Sequence, residues 1–506
     1  MADQIITLPD IPNRSYLITD YGAIGDGIFD NSSVFKRVIE VCKDAGGGKV
    51  IIPAGVWFTG PIQLTSKLNL HLEAGALLLF SSNFDDYPLI LSSFEGEETV
   101  RCRSPLDGEG LEHVAITGNG VIDGAGEAWR PVKRFKMTES EWEKLTQSGG
   151  VVESEVWWPT AQALEGKKAF QSLRKSGSKK IEDFEPYRDF LRPNLLSLRR
   201  SKYILIEGPT FQNSAAWCLH PWICEQITVR NITVRNPWFS QNGDGLDLES
   251  CRYGLVENCT FDVGDDAICL KSGKDEAGRT IAKPCEDITI RGCQVYSGHG
   301  GFVIGSEMSG GIRNIHISDC TFFGTDVGLR FKSTRGRGGI VEKITIDGIR
   351  MMNMKNEAIV FHMFYELDGE EVLTDEKVSE KTPIFRNIDI RNIICKGAKT
   401  AIKVNGLPEM PLANLTFHNL SITSQQGIVC SECIGAMFSN IVMNVKNGAL
   451  FALHNGRNIK MKDISSQSNA KPFLYISGVK TKEIMSNSAL QSISIATEVD
   501  SEQVKL

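Results

Sequence analysis

The sequence has no run of eighteen apolar residues, so no segment reads as a membrane-spanning helix. It has no excess of positive charge: 55 Lys and Arg stand against 62 Asp and Glu, a net charge of −7. That balance argues against a general nucleic-acid binder held by phosphate contacts. The start, Met1-Ala-Asp-Gln4, lacks the basic-then-apolar pattern of a signal peptide. Two expectations stay open there, a cytosolic protein or one whose signal has been removed. No second CxxC accompanies Cys430-Ser-Glu-Cys433 at zinc-finger spacing, so the motif reads as structural rather than metal-binding. The thirteen cysteines are odd in number, and several sit in strand-like apolar contexts. Most are expected as buried thiols rather than a disulfide framework.

What the chain does have is repetition. Asn242-Gly-Asp-Gly-Leu-Asp-Leu-Glu-Ser250 shares one frame with Asp266–Ser272, Gly300–Ser306 and Val327–Ser333. In each, a small residue is followed by apolar and variable positions in alternation and then a serine, the period-2 signature of a strand with one buried face. Leu246/Leu248, Ile268/Leu270, Phe302/Ile304 and Leu329/Phe331 are predicted to point inward. Asp247/Glu249, Cys269/Lys271, Val303/Gly305 and Arg330/Lys332 are predicted to point outward, the last pair into solvent. A second pattern, apolar-x-(Asn/Gly/Asp), recurs at Gly208, Asn231, Asn258, Gly292, Asp319, Gly348, Asn392, Asn419, Asn440 and Asp463. These residue types tolerate left-handed backbone angles, so the column marks a tight bend repeated once per turn. Ordinary loop punctuation does not account for so many recurrences in one frame.

Length alone suggests two or more domains, but repeat folds escape that prior. The expected architecture is all-β: one parallel β-helix domain over 1–506, with a cap region at about 17–60, an insertion at about 126–193 and coils to about 480. The cap is a helix with Asn31 as N-cap and Val34, Val38, Ile39 and Val41 on one face, ended by Gly46-Gly-Gly48. The insertion carries Trp129, Trp142, Trp157 and Trp158 and is helical by period around Thr138–Gln147 and Ala161–Arg174. It reads either as a cleft wall whose aromatic faces stack on sugar rings or as a mobile surface excursion.

Superimposing the frames puts Asp244 and Asp266 in one column of consecutive coils, about 4.8 Å apart. Asp265 and His299 share the next column, and Arg330 and Lys332 form an i, i+2 pair farther along. Like charges this close push their pKa values apart. Such a cluster suits chemistry in which one acid keeps a proton while others hold a nucleophilic water. A solvated acidic patch would explain any single Asp, but not Asp-Asp, His and Arg-x-Lys in register.

These motifs resemble the family 28 glycoside hydrolases, the polygalacturonase family, and most closely its bacterial exo-acting members. The family's Asn-Thr-Asp-Gly is similar to Asn242-Gly-Asp-Gly245, with Gly243 in place of Thr. Its Asp-Asp, Gly-His-Gly and Arg-Ile-Lys are similar to Asp265-Asp266, Gly298-His-Gly300 and Arg330-Phe-Lys332. The resemblance implies a right-handed parallel β-helix and hydrolysis with inversion, using no metal and no cofactor. It also implies a pectic polysaccharide or oligogalacturonide partner and a periplasmic or secreted bacterial location. By that resemblance Asp265 is the general acid, Asp244 and Asp266 hold and deprotonate the water, and His299 tunes the acid. Arg330 and Lys332 bind a galacturonate carboxylate, Asn242 belongs to the substrate-binding set, and the family's tyrosine beyond Arg-x-Lys matches Tyr365. An inverting enzyme is expected to separate acid and base by about 6.5–9.5 Å, which aspartates on neighbouring coils reach only if their side chains splay.

Exo action, with release of monogalacturonate, is expected from the insertion closing one end of the groove. Glu307 or Arg335 is then placed to recognise the terminal sugar's hydroxyls. The competing readings are a rhamnogalacturonan hydrolase of the same family, a calcium-dependent lyase on a β-helix, and a non-catalytic glycan-binding β-helix. The last leaves the aspartate register unexplained.

Overall fold

The structure is a computed structural model that describes residues 6–367, 375–467, 473–487 and 492–505. They fall into two compact units, Met1–Ala267 and Ile268–Leu506.

In the first unit the chain visits three rows of parallel strands in turn, the path of a parallel β-helix. One row stacks Leu106–Glu109, Leu196–Arg199, Leu219–Trp222 and Leu246–Glu249. A second runs from Gly48–Ile52 through Leu68–Leu72, Glu112–Gly118, Lys202–Glu207 and Glu225–Arg230 to Arg252–Glu257. The third ends with Thr210–Gln212, Thr233–Arg235 and Thr260–Asp262. Register carries each apolar side chain onto its equivalent one coil on: Leu70, Ile116, Ile206, Val229 and Val256 form one column, all fully buried. Each such side chain contributes roughly 1.5–3 kcal/mol. Truncating Phe261, which stacks in register on Val234 and Phe211, costs about 3–5 kcal/mol.

In the second unit the equivalent of the first row is Gly300–Ile304, Val327–Lys332, Glu357–His362, Thr400–Asn405, Gln426–Ile434 and Phe451–Ser466. Phe302 pairs with Leu329 and Val303 with Arg330, the register the repeated frames predict. All ten predicted bend residues, Gly208 to Asp463, have positive φ, between 51° and 99°. Side chains join some of them into a ladder: Asn440 donates to Asn419 at 3.0 Å and Asn419 to Asn392 at 2.5 Å. A second bend per coil escaped the sequence reading. It is occupied by Tyr203, Gln226, Tyr253, Asp287, Asn314 and Lys343, all left-handed.

The cap helix spans Ser32–Asp44 and buries Val34, Phe35, Val38, Ile39 and Cys42. Val41 is exposed, a correction, because the i, i+4 stripe runs through Phe35 and Cys42 instead. Asn31 does sit at the N-cap, but its side chain makes no cap bond. Its amide instead pins Ile24, Phe29 and Phe58 backbone carbonyls, and the Asp30 carboxylate accepts from the Ser32 N–H at 2.9 Å.

Both predicted insertion helices are present, Glu139–Gln147 with a Thr138/Glu141 capping box, and Ala161–Ser176. The four tryptophans are buried, so they are core rather than stacking faces for a sugar. Trp129 meets Phe84 and Tyr87 edge-on at 4.3 and 5.3 Å, in a cluster that includes Leu89, Val100 and Cys102. Those three belong to an antiparallel hairpin, Leu89–Phe94 with Glu97–Cys102, which the repeat pattern does not foretell.

The hairpin changes the outer face of the first row. Phe94 stacks on Trp217 at 4.8 Å, and Trp217 lies edge-on to His220. Every residue of Leu196–Arg199, Leu219–Trp222 and Leu246–Glu249 is buried, with no polar-out alternation. Some of the outward polar groups pair with one another there: His220 bonds Glu249 at 2.8 Å and Asn194 at 3.1 Å, and Arg199 pairs with Asp107 at 2.5 Å.

Candidate active site

Three carboxylates converge in the first unit. Asp244 leads into strand Leu246–Glu249, and Asp265 and Asp266 open the next coil. The Gly245 N–H donates to the Asp266 carbonyl at 2.9 Å, which sets Asp244 beside Asp266 as the frames predict. One oxygen of each of Asp244, Asp265 and Asp266 lies within 4.8 Å of the others. The side chains therefore do not splay to the roughly 6.5–9.5 Å of a generic inverting pair. Asp244 and Asp266 are only 3 % and 1 % exposed, and Asp265 is the more open of the three. Among the described residues this trio alone has the spacing to hold a metal ion. Cys430 and Cys433 are both buried and form no disulfide.

The turn that carries Asp244 is fixed by residues no motif pointed to. Asn236, buried, accepts from the Ser214 N–H at 2.9 Å and donates to the carbonyl of Gly243 at 3.2 Å. Arg192 donates to the Gln241 carbonyl and to Asn242 Oδ1, each at 2.9 Å. Asn242 in turn donates its backbone N–H to Asp265 Oδ2 at 3.3 Å. Burial first, then the Arg101 and Arg130 charges, hold the Arg192 guanidinium down to about 9. Gly243, the departure from the family's Thr, has a steric cause. A Cβ there would stand 1.9 Å from Ser240 Oγ, and one on Gly264 would stand 2.3 Å from it. Ser240 is itself buried and donates to the Pro237 carbonyl at 2.7 Å.

The second unit holds the cationic candidates. Arg330 and Lys332 lie on strand Val327–Lys332, and both approach the ring of Tyr365, at 5.7 and 4.9 Å from its centroid. Tyr365 is thus brought to the pair, its N–H donating to the Ser333 carbonyl. Lys332 is not solvated as predicted. It is only 6 % exposed, because the Tyr365 segment folds over the outward face. His299 Nε2 stands 3.8 Å from Asp326, which also pairs with Lys355 at 2.9 Å. Glu307 lies 3.7 Å from Lys271. Burial works to raise its pKa and is outweighed by Lys271 and Lys332, which leave it at about 2, so it stands as a carboxylate among ammonium groups. Arg335 commits its fork to both oxygens of Glu409, at 2.7 and 2.8 Å.

Residues 185–448, more than half of the chain, match the glycosyl hydrolases family 28. The chain belongs to that family. The family 28 match contains every motif from Asn242 to Tyr365. An exopolygalacturonase from Thermotoga maritima is 32 % identical and superimposes with a TM-score of 0.71, over 84 % of this chain and 92 % of that one. An exo-poly-alpha-D-galacturonosidase from Dickeya chrysanthemi is 26 % identical over 85 % of this chain and 71 % of its own length. A family 28 exopolygalacturonase from Yersinia enterocolitica, 20 % identical, shares the fold with a TM-score of 0.70 over 96 % and 79 % of the two chains. The fold is the right-handed parallel β-helix, and the protein is a glycoside hydrolase of a family that inverts.

Proposed function

We propose that the protein hydrolyses α-linked galacturonic acid from pectic chains, one residue at a time from the non-reducing end, with inversion. The Asp244–Asp265–Asp266 trio carries this reading. Asp265, the most open of the three, protonates the glycosidic oxygen as the bond to the anomeric carbon breaks. Asp244 and Asp266 hold a water and take its proton as its oxygen attacks the opposite face. Arg330 and Lys332 take the carboxylate of a galacturonate, the planar fork and the point charge being suited to that anion, and Tyr365 backs both. Asn242 orients the trio through Asp265.

Exo action is supported by the buried outer face of Leu196–Arg199 and Leu219–Trp222, which leaves no open groove for a polymer to continue on that side of the first unit. The Thermotoga and Dickeya relatives, both exo-acting by name, point the same way. Such a polymer does not cross a membrane, so we place the enzyme outside the cytoplasm, in a bacterial periplasm or secreted. The test is a product time course on polygalacturonate. Monogalacturonate should accumulate from the first time point while viscosity stays high. Early di- to pentasaccharides with rapid viscosity loss would refute exo action, and release of products only from rhamnogalacturonan fragments would refute the substrate.

A further inference from the structure

In the second unit, Lys332 begins a column that runs to the far coils. It pairs in register with His362, His362 with Asn405, Asn405 with Ser431, and Ser431 with His454. At about 4.8 Å per strand, His454 stands roughly 19 Å from Lys332. Beside Asn405, Ser431 and His454 of this column the structure has a cavity of about 300 Å³, lined also by Glu432, Asn455 and Lys480.

The lining is built for hydroxyl groups. Glu432 is 3 % exposed, and its Oε1 accepts from Asn455 Nδ2 at 2.5 Å. Its Oε2 has no hydrogen-bond partner among the described residues. A buried carboxyl oxygen left without a partner is costly unless something supplies one. Burial raises the Glu432 pKa. Asn455 is fixed from its other side, Oδ1 accepting from the Lys480 N–H at 3.1 Å. Glu432 and Asn455 both hold left-handed backbone, at φ 51° and 52°. One ammonium is at hand, Lys480, paired with Asp375 at 2.7 Å.

We propose that this cavity is a distal subsite for one galacturonate ring of the polymer, with ring hydroxyls on Glu432, Asn455 and Asn405 and the carboxylate on Lys480. The proposal rests on the exo-galacturonidase reading. An enzyme that removes the terminal sugar leaves the rest of the polymer on one side of the cleaved bond. A second sugar site this far from Lys332 therefore lies on the reducing-end side. Such a site adds affinity for long chains and none for short ones.

The experiment compares digalacturonate with octagalacturonate in the full chain. Wild type should show kcat/KM higher for the octamer by roughly tenfold, one well-made contact's worth. Lys480→Met, at a partly exposed position that leaves the fold alone, and Glu432→Ala should each remove most of that advantage. Digalacturonate should stay within about twofold of wild type. Equal kcat/KM on both substrates in wild type, or variants whose octamer value is unchanged in folded protein, would overturn the proposal. So would equal losses on dimer and octamer. Octamer affinity measured by calorimetry in Asp265→Asn, with and without Lys480→Met, tests the cavity apart from turnover. If wild type cleaves neither substrate, the hydrolase reading fails, while loss of octamer binding with Lys480→Met would still support the cavity.

Discussion

The Arg192 guanidinium donates to Asn242 Oδ1 at 2.9 Å, and the Asn242 backbone N–H donates in turn to Asp265 at 3.3 Å. A buried cation from the end of the insertion thereby sets the position of the acid. Arg192→Lys keeps the charge and loses the fork, so the turn is held less firmly. Misplacing a catalytic group by about 1 Å costs up to ~10²-fold. We expect kcat on digalacturonate to fall by roughly tenfold to a hundredfold with KM little changed. A matching rise in KM with kcat intact would show that Arg192 binds substrate instead.

Asp265→Asn removes the proton donor without changing shape. Turnover should fall by about two to four powers of ten, the size of an acid–base term, in protein with an unaltered thermal midpoint. Proton NMR of the wild-type reaction should show the β-anomer of galacturonate first. Retention of configuration would refute the assigned roles, and wild-type turnover in the variant would refute Asp265 as the acid.

Lys332→Met should raise KM for galacturonides several-fold and leave a neutral galactoside with the same leaving group nearly unaffected. The Lys332 ammonium lies 4.9 Å from the Tyr365 ring centroid, so Tyr365→Leu should produce a smaller shift in the same direction. Equal losses on charged and neutral substrates would mark the pair as structural.

Ser240 and Gly243 should be coupled. Gly243→Thr, which restores the family's residue, drives a Cβ to 1.9 Å from Ser240 Oγ, and activity and thermal midpoint should both drop. Adding Ser240→Gly vacates that space and should recover much of the loss. Additive losses in the double variant would mean that the clash is not what excludes Thr.

His362 supplies a pH signature. Burial first, then the Lys403 and Arg330 charges, hold its pKa down to about 4, against an ordinary 6.5. Between those values the unfolded chain binds a proton that the folded protein refuses. The stability this group contributes is complete above about pH 6.5 and is lost as pH falls toward about 4. His362→Gln should therefore show a smaller drop in thermal midpoint than wild type between about pH 7 and about pH 4.5. The same drop in both would place the titration elsewhere.

The coil strands and one bend column were legible because alternation and Asn, Gly or Asp at left-handed positions are local preferences. The other bend was not. Tyr203, Gln226 and Lys343 adopt left-handed angles because stacking on the coils above and below outweighs their own preference. The carboxylates were legible as a register. Arg192, Asn236 and Ser240 were not, since each acts through an approach that no spacing encodes. Lys332 was expected in solvent and is covered, because alternation reports which side of a strand is outward, not what covers it. In the first unit the cover is a hairpin and an insertion whose own sequences are not repeats.

All thirteen cysteines are reduced and buried. Burial pushes the Cys102 and Cys395 thiols up to about 12, so at neutral pH they carry almost no thiolate and are shielded from reagents as well. The folded enzyme should ignore iodoacetamide and tolerate oxidising and reducing surroundings alike. Each coil that opens would release its own thiols for alkylation. Cysteine labelling read by mass spectrometry would then report, coil by coil, the order in which the helix unwinds.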